Sequence, residues 1–178
     1  LNARNSKLAL APEHKETEEI LEKAGLNHDV LRMPWYSDNY VGGLAPAIEQ
    51  GAIYGAAGNG RLSTASRADL AAGAAAALVS GKGGDIYELG GDESWTMDDF
   101  AREVSKHSGK EVKYVNQSEA DFARTLEGAG LPPPIAKLLA STSYLAGHGE
   151  LYNDQRQLSR LSGRPTTPIG ESIKQALG

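Results

Sequence analysis

The chain has 178 residues, enough for one domain at the usual size of roughly 100 to 200 residues and too few for two large ones. Hydrophobic residues make up 40% and charged residues 23%, a balance that allows a buried core and excludes a chain disordered by composition. A net charge of −5 without a basic block argues against nucleic acid as a partner, and the lack of cysteine removes disulfides, thiol nucleophiles and thiolate metal sites.

Residues 12–24 carry four glutamates early, Lys23 late and Gly25 beyond, which predicts a helix. Val30, Leu31 and Met33 before Pro34 read as a short buried strand. Residues 35–50 have apolar side chains at helical spacing, but Gly42, Gly43 and Pro46 break them into a loop with one or two short helices. Residues 52–54 form a candidate strand, and GAAGNG at 55–60 is expected to be a surface turn. Residues 67–80 are rich in alanine and predict a helix that packs closely on a sheet, followed by a strand at 85–89.

Thr96 and Asp99 have the spacing of a capping box before a helix bearing Phe100, Val104 and His107, and Ser118 and Asp121 repeat that spacing. A strand is expected at 111–115, with further helices at 135–145, 154–161 and 169–177. No apolar run nears the roughly 20 residues that a membrane helix needs, so no membrane partner is expected. The four histidines are scattered without metal-ligand spacing, so no metal is expected, and no G-x-S-x-G elbow supports a hydrolase. His14 and Glu18 share a helical face, which by spacing alone reads as solvated polarity. The run Met33-Pro34-Trp35-Tyr36-Ser37-Asp38 places two aromatics, a hydroxyl and a carboxylate directly after a predicted strand. Ligands bind at that end of parallel α/β sheets. A pair of aromatics plugging the core beneath a loop reads equally well from the chemistry.

Taken in order, PEHKETEEILEKAG, VLRMPWYSDNY, GAAGNGRLSTASRADLAAGAAAAL, YELGGDESWT, SEADFARTLEGAGLP and GRPTTPIGESI resemble the NmrA-like atypical short-chain dehydrogenase/reductase family. Within it they are most similar to the type 2 NAD(P)H:quinone oxidoreductase branch. The resemblance implies an α/β fold: the C-terminal part of a Rossmann-like parallel sheet with a small α/β substrate lobe. The family's glycine-rich turn lies upstream of the segment matching Glu13, and the chain begins at Leu1 rather than Met, so the N-terminal half of the enzyme is expected to be missing. Residues 1–90 would hold the remaining Rossmann-like elements with an inserted cofactor and substrate loop at 33–60, and residues 91–178 mainly the substrate lobe.

The resemblance further implies NADPH or NADH as cofactor and a quinone-like small molecule as acceptor. Met33, Pro34, Trp35, Tyr36, Ser37, Asp38 and Ala65 would line the cofactor, with Met33-Pro34 standing where the family usually has Asn-Gly or Asn-Pro. The Tyr-x-x-x-Lys pair of ordinary members aligns with Leu10 and His14, so Tyr36 and His14 become the candidate catalytic groups. Positioning then carries most of the hydride transfer, because a reduced quinone oxygen takes its proton from water or a nearby hydroxyl. A cytoplasmic oxidoreductase is the reading that follows, with an NmrA-like dinucleotide-binding sensor without turnover as its alternative. An unpaired sheet edge would favour homo-oligomers.

Overall fold

In the computed structural model, which describes residues 1–80 and 82–178, the first helix α1 (Ala11–Lys23) carries Pro12 in its first turn, where the missing amide costs nothing. Glu13 in its first turn and Lys23 in its last complement the helix dipole, and Gly25 takes the left-handed φ of 64° that ends the turn. Strand β1 (Val30–Arg32) follows, then α2 (Ser37–Val41), α3 (Leu44–Gln50), β2 (Ala52–Gly55) and α4 (Arg67–Ser80). The chain continues through β3 (Ile86–Glu88), α5 (Met97–Ser108), β4 (Lys113–Asn116), α6 (Glu119–Gly128), α7 (Pro133–Ala146), α8 (Gln157–Ser162) and α9 (Ile169–Leu177).

Both strand pairs are parallel. β1 runs beside β3 with Val30 opposite Ile86 and Arg32 opposite Glu88, and β2 runs beside β4 with Ala52 opposite Lys113 and Gly55 opposite Asn116. Parallel neighbours require long crossovers, and here the crossovers interleave. The pairing of β2 with β4 therefore runs across the boundary expected near residue 90, as does the packing of α4 on α8.

Residues 62–65 are buried and make isolated bridges outside the two ladders. Leu62 bridges to Trp95, Ala65 bridges to Tyr36, and Ser63 exchanges hydrogen bonds with Asn153 at 2.7 and 2.9 Å. Two buried clusters flank this segment. The larger contains Leu62, Trp95, Phe100, Val104 and Ile173; the smaller contains Ala65, Leu70, Leu89 and Leu158.

Local chemistry explains the helix starts. The Thr96 hydroxyl accepts from the Asp99 amide at 3.1 Å while the Asp99 carboxylate accepts from the Thr96 amide at 2.9 Å, a complete capping box with Asp in place of Glu. Ser118 caps α6 through the Asp121 amide at 3.1 Å. The small residues of α4 admit a close neighbour: a Cβ at Gly73 would meet Leu158 Cδ1 at 2.5 Å.

Candidate active site

Pro34 is buried and bends the chain immediately after β1. Beyond the bend Trp35 packs against the larger cluster and Tyr36 against the smaller, so the turn joins the two cores. The Ser37 amide donates to the Ala65 carbonyl at 3.0 Å and locks this arrangement.

A cavity of about 550 Å³ runs along β1, lined by Asp29, Val30, Leu31 and Arg32, and on to the turn beyond its carboxyl end. Met33, Pro34, Trp35 and Tyr36 form one wall, and α1 contributes His14, Thr17, Glu18 and Leu21. Residues of the segment 3–11 close a further side, and Thr142 and Leu151 reach in from the α7 end. The two candidate catalytic side chains, Tyr36 and His14, thus open onto one space. The Tyr36 hydroxyl points toward Met33 Sδ at 3.9 Å, and the Arg67 guanidinium lies 5.3 Å from the centre of its ring, within cation–π range.

Three other expected site residues stand behind the turn and do not line the cavity. Ser37 is buried and its hydroxyl shares a hydrogen bond of 2.8 Å with Thr64, which also accepts from the Trp95 indole at 3.1 Å. Asp38 accepts from the Arg67 amide at 3.0 Å at the start of α4. Ala65 is wholly buried under Tyr36.

Glu18 corrects the expectation of solvated helix polarity, since it is 4% exposed and forms a fork with Arg32. Arg32 Nε and Nη2 each donate to a Glu18 oxygen at 2.7 Å, while Nη1 donates to Glu88 at 2.7 Å. Arg4 Nε adds a contact of 3.1 Å to Glu18. The Arg32 hydrogen bonds, helped by Arg4 and opposed by burial, hold the Glu18 carboxyl below its ordinary range, and the same bonds push Arg32 upward. Spacing missed this group, yet a signal was present. An arginine inside an apolar strand needs a buried partner.

The turn at residues 55–60 also departs from expectation. Its first half, Gly55 to Ala57, is buried rather than on the surface. Its amides are already occupied: Ala56 donates to Ser143 Oγ at 2.9 Å, Ala57 to Tyr114 Oη at 3.0 Å and Gly58 to Asn116 Oδ1 at 2.8 Å. Such a turn offers no free cradle for a phosphate.

Asp69, expected to be structural, is buried at the first turn of α4. It accepts from Ser66 Oγ and from the Thr167 amide, each at 2.8 Å, and faces Arg164 at 2.7 Å in an ion pair without an aligned hydrogen bond. Burial pushes its carboxyl up, but the Thr167 amide, Ser66 and Arg164 outweigh it and leave the carboxyl below its usual range. Among the described residues no three His, Cys, Asp or Glu side chains gather as a metal site, and no helix is long and apolar enough to cross a membrane.

The parallel α/β arrangement is Rossmann-like, and solved structures of NADPH-binding oxidoreductases match it over the length of this chain. The NADPH-dependent quinone oxidoreductase of Escherichia coli, solved in complex with NADPH, superposes with a TM-score of 0.96 at 45% identity, over 100% of this chain and 63% of that one. The Citrobacter triphenylmethane reductase, complexed with NADP(H), gives a TM-score of 0.94 at 33% identity over 98% of this chain and 62% of that one. By sequence the chain is homologous to quinone oxidoreductase 2 of Escherichia coli, with 47% identity over 175 residues, 97% of this chain and 61% of the relative. Festuclavine dehydrogenase of Aspergillus fumigatus is 29% identical over 139 residues, 75% of this chain and 48% of the relative. No family model matches the chain. These similarities bear out the resemblance read from the sequence, and the chain spans about three-fifths of the length of the quinone oxidoreductase it matches.

Proposed function

We propose that this chain supplies the acceptor side of an NAD(P)H-dependent oxidoreductase that passes a hydride to a quinone-like acceptor. The observation that carries the reading is the cavity that runs along β1 to the turn at its carboxyl end, walled there by Trp35 and Tyr36 and faced by His14. Its volume of about 550 Å³ accommodates a nicotinamide ring and a flat acceptor stacked together.

The residues present fit the ring end of the dinucleotide. The turn at 55–60 does not fit its pyrophosphate, because the amides at 56–58 are spent on Ser143, Tyr114 and Asn116. When bound, the reduced nicotinamide supplies the hydride. In this reading Met33, Pro34, Trp35 and Tyr36 contact the ring side, while Ser37, Asp38 and Ala65 fix the shape of the turn from behind. Trp35 and Tyr36 hold the acceptor flat and keep water from its face. The Tyr36 hydroxyl and the His14 ring are the protein groups placed to deliver a proton to a reduced acceptor oxygen.

Steady-state oxidation of NADPH and NADH with a simple benzoquinone, measured on the full-length gene product, tests this. Turnover with saturable dependence on the quinone is expected. Binding of NADPH without turnover of any quinone would favour a sensor, and no binding at all would remove the oxidoreductase reading.

A further inference from the structure

Arg32 lines the cavity and spends three hydrogen bonds on two carboxylates: Glu18, which also lines it, and Glu88, which does not. Buried ion groups of this kind rarely stabilise a fold more than packed hydrophobic residues of the same volume. Stability alone is therefore a poor reason for building one here.

The geometry suggests another reason. Glu18 stands on α1, one turn beyond His14, and Glu88 stands on β3 directly opposite Arg32 in the ladder. Arg32 is the last residue of β1, immediately before Met33 and Pro34. A planar guanidinium bound through both edges fixes angle as well as distance, which a point charge does not. We infer that Arg32 is a positioning residue that sets the gap between the α1 face bearing His14 and Thr17 and the turn bearing Trp35 and Tyr36. That gap is the slot in which a flat acceptor would have to lie. Glu18 and Glu88 are the jaws of the clamp, and Arg4 brings a second positive charge to Glu18. This inference rests on reading the cavity as the acceptor pocket.

The test replaces the whole clamp in the full-length gene product with Arg32→Met, Glu18→Leu and Glu88→Leu together. Arg32→Lys, which keeps the charge but loses the fork, is made separately. The triple variant is expected to unfold within a few degrees of the parent, since no buried charge is left unpaired. Its kcat should nevertheless fall by about tenfold or more, because displacements near 1 Å cost rates of that order. Arg32→Lys should lower kcat in the same direction while NADPH affinity stays within about twofold.

A second readout is independent of turnover. Trp95 is 4% exposed and Trp35 is half-buried, so the part of the acrylamide-quenchable emission that is lost in a Trp35→Phe background reports on the turn. Both variants should be quenched more readily than the parent. Unchanged kcat and unchanged quenching in Arg32→Lys, or in a folded triple variant, would overturn the inference. If the parent itself turns over no quinone, the proposed function fails, while the quenching still decides whether Arg32 holds the turn.

Discussion

Tyr36 and His14 reach the same cavity from a turn and a helix that are separated by a strand, and neither is fixed by a strong hydrogen bond to the other side. Tyr36→Phe is therefore expected to lower kcat by less than about tenfold, well short of the 100-fold or more lost with an indispensable proton donor, because water can deliver the proton instead. Trp35→Ala should mainly raise KM for the acceptor, read from initial rates at fixed NADPH. Glu18 contributes to the response to acid. Its carboxyl lies below the ordinary range in the folded protein, so its contribution is complete above the unfolded value of about 4.3 and is lost as pH falls through the lower folded value. Replacing it in Glu18→Gln should flatten the acid limb of a plot of urea midpoint against pH. Asp69→Ala leaves the Thr167 amide and the Ser66 hydroxyl without their acceptor, while the half-exposed Arg164 turns to water, at a cost of about 1 to 3 kcal/mol in urea denaturation.

Among the elements, helix ends were the most legible part of the sequence, because their signals are local. Thr96 with Asp99, Ser118 with Asp121, Pro12 and Gly25 each act within a few residues of themselves. Thr96→Ala should accordingly cost about 1 kcal/mol, checked by thermal or urea unfolding. What the sequence concealed was set by distant partners. The burial of Glu18 depends on Arg32, and the occupied amides of residues 55–60 depend on Tyr114, Asn116 and Ser143. Likewise, the turn of Trp35 and Tyr36 could be read as core or as pocket because it is both: each ring touches a buried cluster and also lines the cavity. Packing at the end of α7 is equally non-local. A Cβ on Gly147 would come within 2.7 Å of the Ala57 carbonyl oxygen, so Gly147→Ala should destabilise by about 1 to 3 kcal/mol.

At the scale of the whole molecule, two parallel ladders interleave along the chain and are joined by the buried segment 62–65. Cutting the backbone at residue 90 separates β2 from β4 and α4 from α8, so neither piece keeps a paired second ladder. Co-expression of the two pieces should restore a folded complex, whereas each alone should show weak far-ultraviolet circular dichroism and no cooperative melt. The cavity inherits the same dependence. Its walls come from residues 1–39 and from Thr142 and Leu151, which meet only after the chain has closed on itself. A compound that fits this space would recognise finished molecules and ignore half-assembled ones. Its grip would register as a melting temperature that climbs with dose, making occupancy a gauge of completed folding.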